Sequence, residues 1–178
     1  MIKACIRIAL VAVAMLAVSG CRIDLNLDAK GGGTGVVAYR LQKEWQLPAQ
    51  KKNLESADVK VTDAEIDKDR LATFKVSFGD VTKLGTTQMF KTLILTRTVQ
   101  DGVVKLAGKV NAVNAVKLPD QGVDYFGPDV TITVTVPGDI VDSNAKSTAG
   151  KTATWVYPIN DVLGAKDLPL TLSYKQGS

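Results

Sequence analysis

Apolar residues recur at every second position in several stretches of the chain, the period of a strand that buries one face. Arg22-Ile23-Asp24-Leu25-Asn26-Leu27-Asp28 alternates strictly, Gly31-Gly32-Gly33 turns the chain, and Gly35 to Leu41 returns it, so the two segments predict a first hairpin. Leu71 to Phe78 alternates again and sets Phe74, Val76 and Phe78 on a core face. Lys91 to Val99 and Val103 to Val110 flank Asp101-Gly102, a two-residue turn whose glycine tolerates positive φ, which predicts a second hairpin. Asp129 to Val136 sets Val130, Ile132, Val134 and Val136 against Thr131, Thr133 and Thr135, and Pro137-Gly138 stops it. Lys151 to Tyr157 and Leu168 to Tyr174 supply two further strands.

The intervening segments carry weaker patterns. Asp80 is placed to cap a short helix through Val81, Lys83 and Leu84, because its carboxylate accepts from the first free backbone amides. Asn160 to Ala165 reads as a helical turn. Leu54 to Ile66 reads as a short strand followed by a turn or brief helix, and Gln42 to Lys52 holds Trp45, Leu47 and Pro48 among polar residues. Leu118 to Pro128, with two prolines, two glycines, Tyr125 and Phe126, reads as a loop. Seven to nine strands and two or three short helices make this an α+β fold with a mostly antiparallel β-sheet.

The first twenty residues obey a different rule. Lys3 and Arg7 precede an unbroken apolar run from Ile8 to Val18, with no acid in the segment. This is the layout of a signal peptide, and the run is too short for the roughly 20 residues that a permanent span needs. Val18-Ser19-Gly20-Cys21 resembles the lipobox of bacterial lipoproteins: a branched residue, two small ones, then cysteine. That resemblance implies cleavage between Gly20 and Cys21, a diacylglyceryl thioether on Cys21, and acylation of its new amine with a fatty acid such as palmitate. Residues 1–20 are then the leader, and 21–178 one extracytoplasmic domain tied by lipid to a membrane. Arg22, rather than an aspartate, follows the cysteine, so in a Gram-negative host the expected address is the outer membrane, facing the periplasm. The first strand begins within two residues of Cys21, which leaves no linker.

Composition excludes more than it suggests. Without Lys3 and Arg7 the cations fall from 22 to 20 against 18 acids, a formal +2, and they are scattered. No nucleic-acid partner is expected. There is no histidine, and Cys5 and Cys21 are the two cysteines. A Ser-His-Asp or Cys-His relay has no members here, and His or Cys metal sites have no ligands. Asp63, Glu65, Asp67 and Asp69 fall on alternate residues, but a calcium loop needs glycine and glutamate where this chain has Lys68 and Phe74. Gly31-Gly32-Gly33 lacks the following Lys-Ser or Lys-Thr of a phosphate loop. No enzyme activity, metal or cofactor is expected.

Thr131 to Tyr157, TITVTVPGDIVDSNAKSTAGKTATWVY, carries Pro137, Gly138, Ser143, Asn144, Gly150, Thr154 and Trp155. In this pattern a strand ends in Pro-Gly, a Ser-Asn turn follows, and a second strand brings a tryptophan. It resembles the LppM-like family of bacterial membrane-anchored lipoproteins. The resemblance implies an extracytoplasmic α+β domain for which a lipid-binding role has been entertained. Many relatives carry a membrane helix after the domain, whereas this chain ends at Ser178, so the lipid on Cys21 is expected to be its anchor. On the residues alone, Pro137 lacks a donor and ends a strand, Gly138 and Asn144 suit turn conformations, and Trp155 fills the core.

Two functions fit these observations. One is a binding module sheltering a lipid or other apolar ligand, with Trp45, Phe90, Tyr125, Phe126 and Trp155 as candidate contacts. The other is a structural or assembly protein of the envelope that presents a face or sheet edge to a protein partner. An apolar cavity would favour the first and a solid core with an exposed apolar patch the second.

Overall fold

The computed structural model describes residues 20–110, 127–163 and 167–177. The strict alternation after Cys21 becomes strand β1 (Cys21–Leu27), returned as β2 (Gly33–Arg40). The turn between them closes because the Asp28 carboxylate accepts from the Lys30 and Gly32 amides at 2.7 and 3.0 Å. Gly31 sits there at φ 94°, a conformation that strains residues with a side chain. A 3-10 turn (Glu44–Gln46) and helix α1 (Leu47–Asn53) follow, then β3 (Val59–Ile66) and β4 (Leu71–Phe78).

Asp80 caps the next 3-10 turn (Val81–Thr86) by accepting from the Thr82 amide at 2.8 Å, as its position in the sequence predicts. Strands β5 (Leu93–Gln100) and β6 (Val103–Val110) form the hairpin around Asp101-Gly102. Both turn residues have positive φ, 51° and 73°, the combination that matches the twist of a hairpin. The remaining elements are β7 (Asp129–Thr135), β8 (Ile140–Ser143), β9 (Ser147–Ala149), β10 (Thr152–Pro158), α2 (Ile159–Leu163) and β11 (Leu168–Lys175).

The strands form two sheets. The larger has the order β3-β4-β2-β1-β7-β10-β9 and the smaller β5-β6-β11-β8. Among the described residues every pairing is antiparallel except β1 with β7, whose register runs from Cys21 opposite Val130 to Asn26 opposite Thr135. The first described strand therefore lies in the middle of the larger sheet.

One hydrophobic cluster joins the sheets, taking Leu25, Val37, Phe74, Ile132 and Trp155 from the larger and Val104, Leu106, Leu170 and Leu172 from the smaller. These are the apolar members of the alternating strands. Their alternate partners, the Arg22, Asp24, Thr131 and Thr133 set, line the opposite face of the larger sheet.

The chain crosses from the smaller to the larger sheet between β8 and β9, and Asn144 sits at the crossing. Its Oδ1 accepts from the Trp155 indole N–H on β10 and from the Thr171 amide on β11, both at 2.8 Å. Its Nδ2 donates to the Pro169 carbonyl at 3.0 Å, and its own amide donates to the Thr171 carbonyl at 3.2 Å. Tyr157 adds a second bridge by donating its hydroxyl to the same Pro169 carbonyl at 2.6 Å.

The α+β reading and its mostly antiparallel sheets are the observed fold, and Leu71 to Phe78 is strand β4 to the residue. Four details differ. Eleven strands are present among the described residues, not seven to nine, because β8 and β9 are only four and three residues long and lack a legible alternation. The helix comes before β3 rather than after it: Pro48 suits its first turn, Lys51 and Lys52 its last, and fully buried Leu54 ends it. Asn144 works through its side chain and not through a left-handed backbone, since among the described non-glycine residues positive φ occurs at Arg70 and Asp101. Gly138 is needed for space, because a Cβ there would overlap the Lys175 carbonyl oxygen.

Gly138→Ala is accordingly expected to destabilise the domain by about 3 kcal/mol, the upper range for overpacking. Gly150→Ala, at a turn with φ 58° and open space around it, should cost only about 1 kcal/mol. Urea unfolding of the two variants checks the order.

Candidate functional site

Two features of the larger sheet stand out chemically, and both begin with β1. The first is its leading residue. Cys21 shares the core-facing side of β1 with Ile23, Leu25 and Leu27, and Cys21 and Ile23 pack half-buried against the core. Burial pushes the Cys21 thiol up to about 12. Tyr39 on β2 lies close enough to feel it: burial first, and the charge of a Cys21 thiolate second, raise the Tyr39 hydroxyl above its ordinary range. That hydroxyl donates to Gln50 Oε1 of α1 at 3.0 Å, and the ring stacks on Phe74 with centroids 5.6 Å apart. Gly20 lies so close to the Asp129 backbone that a Cβ would overlap its carbonyl oxygen.

The second feature is an open groove of about 580 Å³ on the sheet face turned away from the core. Its lining includes Arg22, Asp24 and Asn26 of β1, Thr34 and Val36 of β2, Lys75 and Val76 of β4, and Thr133 and Thr135 of β7. Strand register explains the assembly. Asp24 faces Val36 on one side and Thr133 on the other, Val36 faces Lys75, and Lys75 faces Asp63 of β3, so five neighbouring strands put one row of side chains across the sheet.

Two ion pairs organise the groove's charges. Arg22 Nε meets Asp24 Oδ2 at 2.5 Å, and Lys75 Nζ meets Asp63 Oδ2 at 2.9 Å. The Lys75 hydrogen bond, and then its charge, hold the Asp63 carboxyl below its usual range, while Asp63 raises Lys75. Both pairs are solvent-accessible, so they position side chains more than they stabilise the fold. The groove thus sets the half-buried Val36 side chain among hydroxyl and charged groups, while Val76 turns its own side chain into the core.

Against this geometry, the LppM domain model matches residues 21–166. The chain belongs to the LppM family. It is a lipoprotein-like, β-rich domain of the membrane-anchored envelope kind. The match opens at Cys21, the residue with which β1 begins. The NMR structure of the folded domain of Mycobacterium tuberculosis LppM superposes with a TM-score of 0.52 at 14% sequence identity, covering 89% of this chain and 90% of that one. At that identity the likeness speaks for the fold. No curated protein matches the chain in sequence.

The sequence candidates are scattered over this LppM domain. Trp45, in the 3-10 turn before α1, is 76% exposed. Phe90 is buried and its amide donates to the Thr87 hydroxyl at 3.2 Å. Trp155 is 2% exposed in the core and held by Asn144, the core-filling part read from the sequence. Tyr125 and Phe126 lie outside the described residues. None of Trp45, Phe90 and Trp155 lines the groove.

The groove residues went unnoticed in the sequence because only register brings them together. The usable signal was the polar half of the alternation, Arg22-x-Asp24-x-Asn26 beside Thr131-x-Thr133-x-Thr135. The acidic run Asp63 to Asp69 disperses: Asp63 pairs with Lys75, and Asp67 caps its own turn through the Asp69 and Leu71 amides at 2.8 and 2.9 Å. Among the described residues no three acidic or thiol groups gather as a metal site.

The raised Cys21 and Tyr39 values set a pH dependence for the chain before lipidation. The folded state holds both protons more tightly than the unfolded one. The stability they confer is present in full below pH 9, the ordinary thiol value of 9.0, and is lost as the pH climbs through about 12. Cys21→Ala should delay the onset of alkaline destabilisation to about pH 10, where Tyr39 takes over. Urea midpoints measured from pH 8 to 11 test this; identical curves for the two chains would contradict it. Iodoacetamide at pH 8 should also label folded Cys21 about a thousandfold more slowly than the unfolded thiol.

Proposed function

We propose that the chain is a non-catalytic lipoprotein of the bacterial cell envelope, cleaved after Gly20, anchored by diacylglyceryl on Cys21, and binding a lipid or similar amphiphile on its outer groove. The observation that carries the ligand part is the groove's volume and lining, within the 300 to 1,000 Å³ usual for small-molecule sites, with Val36 as its aliphatic contact and Thr133, Thr135, Asp24 and Lys75 as its polar ones. The anchor part is supported by the lipobox ending at Cys21 and by a family match that starts at that residue.

Cys21's seat adds a condition on the order of events. With the sulfur packed on the core side of β1 and its thiol pushed up to about 12, a transferase meets a poor nucleophile once the sheet has closed. Lipid attachment then precedes folding, while Cys21 is still extended beside the membrane.

A protein partner is the second reading. It is favoured by β5, an eight-residue edge strand that leaves Ile94 and Val99 about half exposed at 52% and 47%. Beyond Leu93, where the Val81–Thr86 turn packs against it, an edge strand of this kind accepts another strand by backbone hydrogen bonding.

Mass spectrometry of the chain purified from native membranes, with lipid extraction, separates these readings. The expected result is an N-terminal peptide that begins at a diacylated Cys21, and a co-purifying amphiphile in near-stoichiometric amount that Asp24→Ala/Lys75→Ala reduces at least fivefold. Recovery of a lipid-free domain that crosslinks through Ile94 or Val99 to another protein would transfer the function to the β5 edge.

A further inference from the structure

Trp45 is the most exposed large apolar residue described, and its position in the fold assigns it a partner. β1 and β2 are antiparallel, with Arg22 opposite Ala38, so Cys21 and Tyr39 lie at the same end of the sheet. Tyr39 is bonded to Gln50 of α1. The segment from Arg40 through α1, which carries Trp45, is therefore connected to Cys21 by one side-chain relay. Because β1 starts at Cys21 itself, no linker separates this end of the domain from whatever Cys21 is attached to.

The charge of the segment has one sign. Between Arg40 and Leu54 there are four cations, Arg40, Lys43, Lys51 and Lys52, against the single acid Glu44. All four cations and Trp45 are exposed. The neighbouring turn between β3 and β4, tied on by Arg70 donating to the Gln42 carbonyl at 2.6 Å, is balanced: Asp67 and Asp69 against Lys68 and Arg70. An exposed indole is costly in water but favourable at the bilayer's headgroup level, and lysines beside it add attraction to anionic lipid.

We infer that the Arg40 to Asn53 segment is the membrane-docking face of the anchored domain, with Trp45 seated among lipid headgroups and Lys43, Lys51 and Lys52 on anionic phosphates. This rests on Cys21 carrying the lipid tether, and it adds an orientation that the tether alone does not impose. With that end on the bilayer, α1 is a foot.

The two tryptophans make the test direct, since Trp45 is exposed and Trp155 buried. The full chain from bacterial membranes is reconstituted into vesicles of phosphatidylcholine and phosphatidylglycerol containing brominated lipid, and its N-terminal peptide is weighed from the same preparation. The expected result is loss of more than about half of the Trp45 emission, weakened by Lys51→Glu/Lys52→Glu and by high salt. Trp45→Phe, which leaves only the folded-core signal of Trp155, should lose almost none.

If Cys21 is lipidated but Trp45 stays open to aqueous iodide and unquenched by brominated lipid, the docking face is wrong and the anchor stands. If Cys21 carries no lipid yet Trp45 is quenched, the anchor reading falls and the face binds membrane by itself. Trp45 shielded from iodide in native membranes but unquenched in vesicles would assign the face to a protein and overturn the inference.

Discussion

A buried indole must find an acceptor for its N–H, and here that requirement holds two sheets together. Trp155 is a core residue of the larger sheet, and the acceptor it meets is Asn144, which belongs to the link that leaves the smaller sheet. The same amide spends its remaining bonds on Pro169 and Thr171 of β11. Apolar burial supplies the bulk of the cohesion but is indifferent to small shifts of one sheet over the other. The Asn144 contacts are directional and reach both sheets, so they favour one register of the two layers.

The central place of β1 is the second constraint. A chain that enters its fold as an edge strand can swing on its tether. One that enters between β2 and β7, paired on both sides from Arg22 to Asn26 and with Cys21 itself paired to β7, cannot. Whatever is attached to Cys21 is coupled to the middle of the larger sheet, and the two faces of that sheet are assigned by the same alternation: Leu25 and Leu27 inward to the core, Asp24 and Asn26 outward to the groove. Anchor, core and groove are three consequences of one seven-residue strand.

Most of the fold was legible because alternation is a local signal. β1, β4, β7 and β11 show it over seven or eight residues, and the Asp80 cap and Asp101-Gly102 turn carry their own chemistry. The short strands β8 and β9 do not, and neither does the choice of parallel pairing between β1 and β7, which depends on contacts over a hundred residues apart. The candidate site was legible only at Cys21. Aromatic residues drew attention as ligand contacts, yet Trp155 satisfies the core and Trp45 stands in solvent, while the groove is built from threonines and ion pairs that look like ordinary surface in the sequence. The Ser143-Asn144 pair was visible as a motif, but its role was hidden because its partners Trp155 and Thr171 are placed by the packing of two sheets.

The claim on which the architecture turns is that Asn144 and Trp155 act as one unit. A double-mutant cycle of Asn144→Ala and Trp155→Phe, read by urea unfolding, measures that coupling directly. The account predicts that each single change costs about 2 to 4 kcal/mol and that the pair interacts by about 1 to 3 kcal/mol. Costs that add to within about 0.3 kcal/mol would mean that the two residues stabilise the domain independently, and that the clasp between the sheets is not what sets their packing.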